Sequence, residues 1–202
     1  MSAGRIDDCT GVILAGGRAA RLGGFAKGLL RLEGEPLVAR ALRLFDSLFA
    51  SSVVIANDAA PYQGLGAQVL PDAIAGKGAP GGVHAALRAA TTSWIFTAAC
   101  DMPFLAAGPI RLLASRRVGV AAVLVRSGGR LHPLHALWSS ACLAPLERLL
   151  AQGNPSLVEL SRAVPAVVVE EDEWRAADPG GLALENVNTP EDVARLGLAY
   201  QL

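Results

Sequence analysis

Residues 11–27 read Gly11-Val12-Ile13-Leu14-Ala15-Gly16-Gly17-Arg18-Ala19-Ala20-Arg21-Leu22-Gly23-Gly24-Phe25-Ala26-Lys27. An unbroken apolar run gives way to paired glycines, and two arginines and a lysine follow before the next apolar segment. Continuous rather than alternating hydrophobicity marks a strand covered on both faces, as in a parallel sheet. Glycines let backbone N–H groups come close to phosphate oxygens, and arginine and lysine add positive charge. The same composition also suits a solvated surface loop, so the stretch decides the local fold before it decides a ligand. Two well-known phosphate loops are excluded. A Walker loop needs Gly-Lys-Ser/Thr, whereas Lys27 lies between Ala26 and Gly28, and Gly16-Gly17-Arg18 lacks the spacing of the dinucleotide fingerprint.

Outward from this loop, short apolar runs that end in turn residues alternate with longer segments of helical period. Val53–Ala56 ends at Asn57-Asp58, Gln68–Leu70 at Pro71-Asp72, and Trp94–Ala99 at Cys100-Asp101. Between the first two runs, Leu37, Val38, Ala41, Leu42, Phe45, Leu48 and Phe49 recur at helical spacing within Pro36–Ala50, with Arg40, Arg43 and Asp46 opposite. Pro36 suits the first helical turn, where its missing N–H costs nothing. Gly82–Ala90 and Pro109–Arg117 read as further helices. This order implies right-handed crossovers with helices on both faces of a sheet.

After residue 118 the pattern changes. Ala121–Arg126 and Leu131–Trp138 flank Ser127-Gly128-Gly129-Arg130, a hairpin signal that implies antiparallel strands. Helices at about 141–151 and 156–163 and a strand at Ala166–Glu170 follow. Thr189-Pro190-Glu191-Asp192 starts a last helix, with Thr as N-cap, Pro at the first helical position and acids in the first turn. The expected fold is α/β: three Rossmann-like layers, a mostly parallel central sheet and an antiparallel hairpin at its edge. No repeat or linker divides it, so residues 1–202 are expected to form one domain.

Hydrophobic residues make up 52% of the 202 and charged residues 18%, enough for a large core, which excludes wholesale disorder. Eighteen basic residues balance eighteen acidic ones, which argues against nucleic-acid binding through a broad basic surface but permits a small anionic ligand. Cys9, Cys100 and Cys142 are an odd set without a CxxC pair, so neither a zinc ribbon nor a disulfide framework is supported. The polar, acidic start of the chain lacks an apolar leader, and no run reaches the roughly 18 apolar residues of a spanning helix. A soluble cytoplasmic protein without membrane contact is expected.

Ligands of open α/β sheets bind beyond the carboxyl ends of parallel strands. Gly16, Gly17, Asn57, Asp72 and Asp101 all terminate expected strands and so converge through topology. Asp72 alone reads as a turn residue and Asp101 alone as a cap. Their joint placement, with Lys27 at hand, favours a ligand site. Asn186 and Asn188 alternate, so they point the same way along an extended segment, either toward a ligand or to fix the backbone before the last helix. His132 and His135, three apart on an expected strand, face opposite sides, and no H-E-x-x-H pattern occurs, so zinc is not expected. His84 reads as a packing or surface residue, and Cys100 as a small core residue rather than a nucleophile.

The loop from Leu14 to Lys27 resembles the LAGG-x-x-x-R-M/L-G-x-x-K signature of nucleotidyltransferases, and most closely that of the molybdenum cofactor guanylyltransferases. The similarity continues through Leu29-Leu30, Gly34-x-Pro36-Leu37, Val69-x-Pro71-Asp72, Gly78-x-x-Gly81-Gly82 and Cys100-Asp101-Met102-Pro103. It ends with Arg130-x-His132-Pro133-x-x-Ala136-Leu137 and Asn186-Val187-Asn188-Thr189-Pro190-Glu191-Asp192. The resemblance implies a nucleotidyltransferase that moves GMP from GTP onto the phosphate of molybdenum-molybdopterin, with residues from about 8 to 117 serving the nucleotide and from about 118 to 202 the acceptor.

The resemblance further implies that Leu14, Ala15, Gly16 and Gly17 cradle the nucleotide, and that Asn57 and Asp72 hold its base and ribose. Arg21, Lys27 and Asp101 would be the catalytic set, the first two on the phosphates and Asp101 on Mg2+. One carboxylate suits that ion, which keeps waters and takes other ligands from phosphates. Gly82, His132, Asn186 and Asn188 would face the acceptor. Implied partners are the two substrates and, transiently, molybdopterin synthesis or insertion proteins and acceptor molybdoenzymes. Ala26 stands where the family commonly has Asp, and Gly78-Ala79-Pro80-Gly81-Gly82 replaces Gly-Pro-Leu-Ala-Gly. The alternatives are cytidylyl transfer to the same acceptor, whose enzymes more often show LAAG, another nucleotidyl transfer, or a non-catalytic nucleotide-binding chaperone for cofactor insertion.

Overall fold

The apolar run that opens the loop is the middle strand of a sheet. Cys9, Val12 and Ile13 have no solvent exposure, and neighbouring strands flank the run on both sides. The computed structural model describes residues 4–16, 26–74 and 76–200. Its elements are β1 (Ile6–Leu14), β2 (Arg31–Leu32), β3 (Glu35–Pro36), α1 (Leu37–Leu48), β4 (Phe49–Ile55), β5 (Gln68–Leu70), α2 (Gly78–Ala89), β6 (Trp94–Ala99) and α3 (Ala107–Ser115). The second half adds β7 (Ala122–Ser127), β8 (Arg130–Leu131), β9 (Ala136–Ser139), α4 (Leu143–Gln152), α5 (Leu157–Arg162), β10 (Ala166–Val169), α6 (Glu171–Ala177), α7 (Pro190–Arg195) and β11 (Leu198–Ala199).

The main sheet runs β10-β7-β9-β6-β1-β4-β5. β1 pairs in parallel with β4 (Val12 opposite Val53) and with β6 (Val12 opposite Thr97), and β4 pairs in parallel with β5. β9 runs against both β6 and β7, and β8 pairs antiparallel with β7, as the hairpin signal predicts. Alternate side chains of each strand feed two cores. Ile13, Val54 and Phe96 pack with Phe45 of α1, Ile110 of α3 and Trp174 of α6. Val12, Ile55 and Ile95 pack with Val83 of α2, Leu146 of α4 and Leu160 of α5. Helices thus cover both faces, giving the expected three layers. Gly11 is one point where the first core demands glycine: a Cβ there would stand 2.5 Å from Phe45 Cδ2 and 2.8 Å from Phe49 Cδ2.

Several local expectations are corrected. Pro36 precedes α1 instead of opening it, because it pairs with Arg31 across the β2–β3 turn. α2 begins at Gly78, four residues ahead of the expected Gly82, since Pro80 in the first turn needs no N–H partner. The expected strand Leu131–Trp138 is two strands, β8 and β9, separated by a turn in which His135 N–H donates to the His132 carbonyl (3.0 Å). Pro133, which has no N–H to give a ladder, sits in that turn. α6, with Glu171, Asp172 and Glu173 in its first turn and Trp174 buried, was not anticipated.

Nor was a second small sheet, ordered β11-β2-β3. It and α7 enclose a third core of Leu30, Leu32, Leu37, Val187, Val193 and Leu198. The start of α7 is as expected: Thr189 Oγ1 accepts from Asp192 N–H (3.2 Å), and the Asp192 carboxylate accepts from Thr189 N–H (3.1 Å). No helix among the described residues is long and apolar enough to cross a membrane.

Candidate active site

β1, β4, β5 and β6 end at one edge of the sheet, and backbone bonds tie those ends together. Ala15 N–H donates to the Ile55 carbonyl (2.8 Å), Ala56 N–H to Leu70 (2.9 Å) and Cys100 N–H to Leu14 (3.1 Å). The chain leaves β1 toward β4 and β5 and returns to the other side of β1 for β6, which makes this edge a switch point. Beyond it lies a cleft of about 1110 Å³.

Leu14, Ala15, Gly16, Lys27, Asn57, Asp72, Gly82, Asp101, His132, Asn186 and Asn188 all line that cleft. Segments far apart in sequence thus meet as the strand-end argument requires. Gly17 and Arg21, expected at the nucleotide and its phosphates, lie outside the described residues.

Two side-chain pairs organise the cleft. Lys27 Nζ donates to Asp101 Oδ2 (2.8 Å) and to Asn188 Oδ1 (2.7 Å). Asp101 is held from behind, because its carbonyl accepts from Val187 N–H (2.9 Å). Lys27 and Asp101 are only 19% and 16% exposed, so solvent screens this pair less than an ordinary surface ion pair. On the other wall, Asn57 Nδ2 donates to Asp72 Oδ2 (3.0 Å) while Asn57 Oδ1 accepts from Asp72 N–H (2.9 Å). Both ends of that amide are spent on Asp72, so Asn57 aims the carboxylate.

Gly82 has a packing reason of its own. A Cβ there would come within 2.9 Å of Leu14 Cδ2 and 3.5 Å of Asp72 Oδ1. Its bare backbone lets α2 approach the strand ends, and Gly78 and Ala79 of the first turn of α2 border the cleft. Helix N-terminal N–H groups favour anions.

His132 is half-buried, with Nε2 3.2 Å from the Ser127 carbonyl, and burial lowers its pKa. His135 is fully buried between Phe96 and Trp174, with ring centroids 5.0 and 5.2 Å away in edge geometry. Neither of its ring nitrogens has a hydrogen-bond partner among the described residues, and desolvation drops its pKa to about 3. The two histidines therefore differ in depth within one turn and do not face opposite sides of a strand. His84 is buried, with Nε2 3.2 Å from Glu147 Oε1, which bears out the packing expectation.

Sequence reasoning missed Tyr62, Cys100 and His135 as cleft-lining residues. Tyr62 comes from a three-residue 3-10 helix, Ala60–Tyr62, too short for any periodic signal. Its phenol is pushed up by burial. Burial also pushes the Cys100 thiol up to about 12, which keeps it protonated and unsuited to nucleophilic work.

No cluster of three or more His, Cys, Asp or Glu side chains that could hold a metal ion occurs among the described residues. Asp101 presents its carboxylate just beyond the end of β6. Its Oδ1 makes no hydrogen bond among the described residues, while Oδ2 takes the Lys27 ammonium. A hard-oxygen ligand of this kind fits an ion such as Mg2+ that draws most of its shell from water and substrate phosphates.

A crevice at a parallel-strand switch point, with a glycine rim, the Lys27 ammonium and the Asp101 carboxylate within it, defines an α/β enzyme that handles nucleotides. The chain belongs to the MobA-like NTP transferase domain family, whose model matches residues 11–167. It is 30% identical to the molybdenum cofactor guanylyltransferase of Desulfosudis oleivorans, over 97% of this chain and 98% of that protein. It is 36% identical to the enzyme of that name from Pseudomonas putida, covering 91% and 94%. Among solved structures, molybdopterin-guanine dinucleotide biosynthesis protein A from Archaeoglobus fulgidus superposes with a TM-score of 0.79 at 26% identity, covering 93% of this chain and 96% of that one. The 2-C-methyl-D-erythritol 4-phosphate cytidylyltransferase of Thermus thermophilus, at 19% identity and a TM-score of 0.65, shares the fold.

Proposed function

We propose that this cleft transfers GMP from GTP to the phosphate of molybdenum-molybdopterin, forming molybdopterin guanine dinucleotide. The observation that carries the reading is the meeting of Lys27, Asp101, Asn57, Asp72 and Asn188 around one cleft from separate chain segments. An oxygen of the acceptor phosphate attacks the α-phosphorus, the bond to the bridging oxygen breaks, and pyrophosphate leaves. The protein has little covalent chemistry to perform, so its work is alignment and charge neutralisation.

The backbone at Leu14–Gly16 frames the nucleotide, Asp72 in the orientation set by Asn57 takes its base or ribose, and the Lys27 ammonium meets the phosphates. Gly17 and Arg21 belong to the same proposal. Asp101 would hold Mg2+, which when bound supplies neutralisation of phosphate charge. His132, Asn186 and Asn188 face the acceptor half, and residues from about 118 onward serve it within a single domain. A protein with three unpaired cysteines is suited to the cytoplasm, where synthesis or insertion proteins and acceptor molybdoenzymes would meet it.

The test is pyrophosphate release with Mg2+, molybdenum-molybdopterin and either GTP or CTP. Release with GTP is expected. Release with CTP alone overturns the base assignment, and GTP binding without release overturns transfer in favour of a nucleotide-binding chaperone.

A further inference from the structure

The Lys27 ammonium rests between two oxygens, Asp101 Oδ2 at 2.8 Å and Asn188 Oδ1 at 2.7 Å. This seat is built from three parts of the chain. Lys27 opens the turn that leads into β2, Asp101 follows β6, and Asn188 lies just before α7. Backbone bonds tie these parts to one another. Val187 N–H bonds the Asp101 carbonyl (2.9 Å), Asp192 Oδ2 accepts from Asn188 N–H (3.0 Å), and β11 ties the tail to β2.

The Lys27 ammonium already occupies one oxygen of the Asp101 carboxylate, so a divalent ion would have to share that carboxylate through the open Oδ1. A divalent ion on an Asp101 oxygen would sit at roughly 2.1 Å from it, beside an ammonium already bonded to that carboxylate. The pair is largely shielded from solvent, so repulsion between the cations is weakly screened. A triphosphate offers the ammonium a different anionic partner and so frees the carboxylate. We infer that Lys27 is a stand-in cation: it weakens divalent metal binding at Asp101 until a nucleotide draws the ammonium away, with Asn188 as its second anchor. Metal and nucleotide binding are then positively coupled through one side chain. The inference rests on the proposal that Asp101 takes the metal and Lys27 the phosphates.

The test is Mn2+ titration of the whole protein followed by electron paramagnetic resonance, with neither nucleotide nor acceptor added. Lys27→Met should bind Mn2+ about tenfold more tightly than the wild-type protein. The gain should vanish when Asp101→Asn is combined with Lys27→Met. Lys27→Gln serves as a second variant, and circular dichroism checks that each is folded. Equal Mn2+ affinity in the wild type and both lysine variants, or a gain that survives Asp101→Asn, overturns the inference. Because no substrate is present, a failure of the GMP-transfer reading shows in the pyrophosphate assay and not here.

Discussion

At the residue scale, the cleft depends on side chains that hold other side chains. Asn57 is exposed, yet both ends of its amide bond Asp72. Asn57→Ala should therefore raise the KM for GTP about tenfold, the equivalent of one lost hydrogen bond of about 1.4 kcal/mol, and leave kcat nearly unchanged. A double-mutant cycle with Asp72→Ala decides how it acts: once Asp72 is gone, losing Asn57 should cost little more. Additive losses would mean that Asn57 touches the nucleotide itself. Asn57, Asp72 and Asp101 were legible in the sequence because each follows an apolar run, and topology converts strand ends into neighbours. Their mutual bonds were not legible, since a sequence carries no information on rotamers. His135 and Tyr62 were not legible as cleft residues because their neighbours come from distant segments with no shared spacing.

At the element scale, the small sheet and α7 carry the residues that finish the site. Lys27 lies just ahead of β2, and Asn188 is one residue before the cap of α7. The cap was legible, because Thr189, Pro190 and Asp192 make a signal within four residues. Two-residue strands such as β2, β3 and β11 offer no periodicity, and their pairing is a long-range event, so the unit escaped notice. α6 escaped for a related reason: the acids at its start resemble a solvated loop until Trp174 is seen buried beneath the sheet. Thr189→Ala removes the hydroxyl that accepts from Asp192 N–H and should cost about 1 kcal/mol of stability. For a chain of this length that is a fall in Tm of roughly 2–4 °C. Turnover should fall by more than so small a loss explains, because Asn188, the adjacent residue, loses its fixed position against Lys27. Thermal melts and steady-state rates on the same preparation check this, and Thr189→Ser should restore both. A variant that loses Tm but keeps full turnover would uncouple α7 from the site.

At the scale of the whole molecule, the layers and the mostly parallel sheet followed from the sequence because burial on both faces leaves a continuous apolar signature. The cost of one buried polar group did not, because His135 was expected on a regular strand. It stands instead between Phe96 and Trp174, in the core that joins the sheet to α6. Its pKa falls from an ordinary 6.5 to about 3 on folding, first through desolvation and second through His132. As pH drops below about 6.5, the unfolded chain takes up a proton that the folded protein refuses until about pH 3. Within that window folding loses stability with acid, by at most about 1.4 kcal/mol per pH unit. Burial lowers the pKa of His132 as well, which acts in the same direction. His135→Phe keeps an aromatic ring against Phe96 and Trp174 and removes the proton acceptor. Thermal melts at pH 7, 6 and 5 should show the wild-type Tm falling more steeply than that of His135→Phe, with the two curves closest at pH 7. Parallel curves across that range would mean that His135 already carries a proton in the folded core, or that the acid sensitivity lies in other groups.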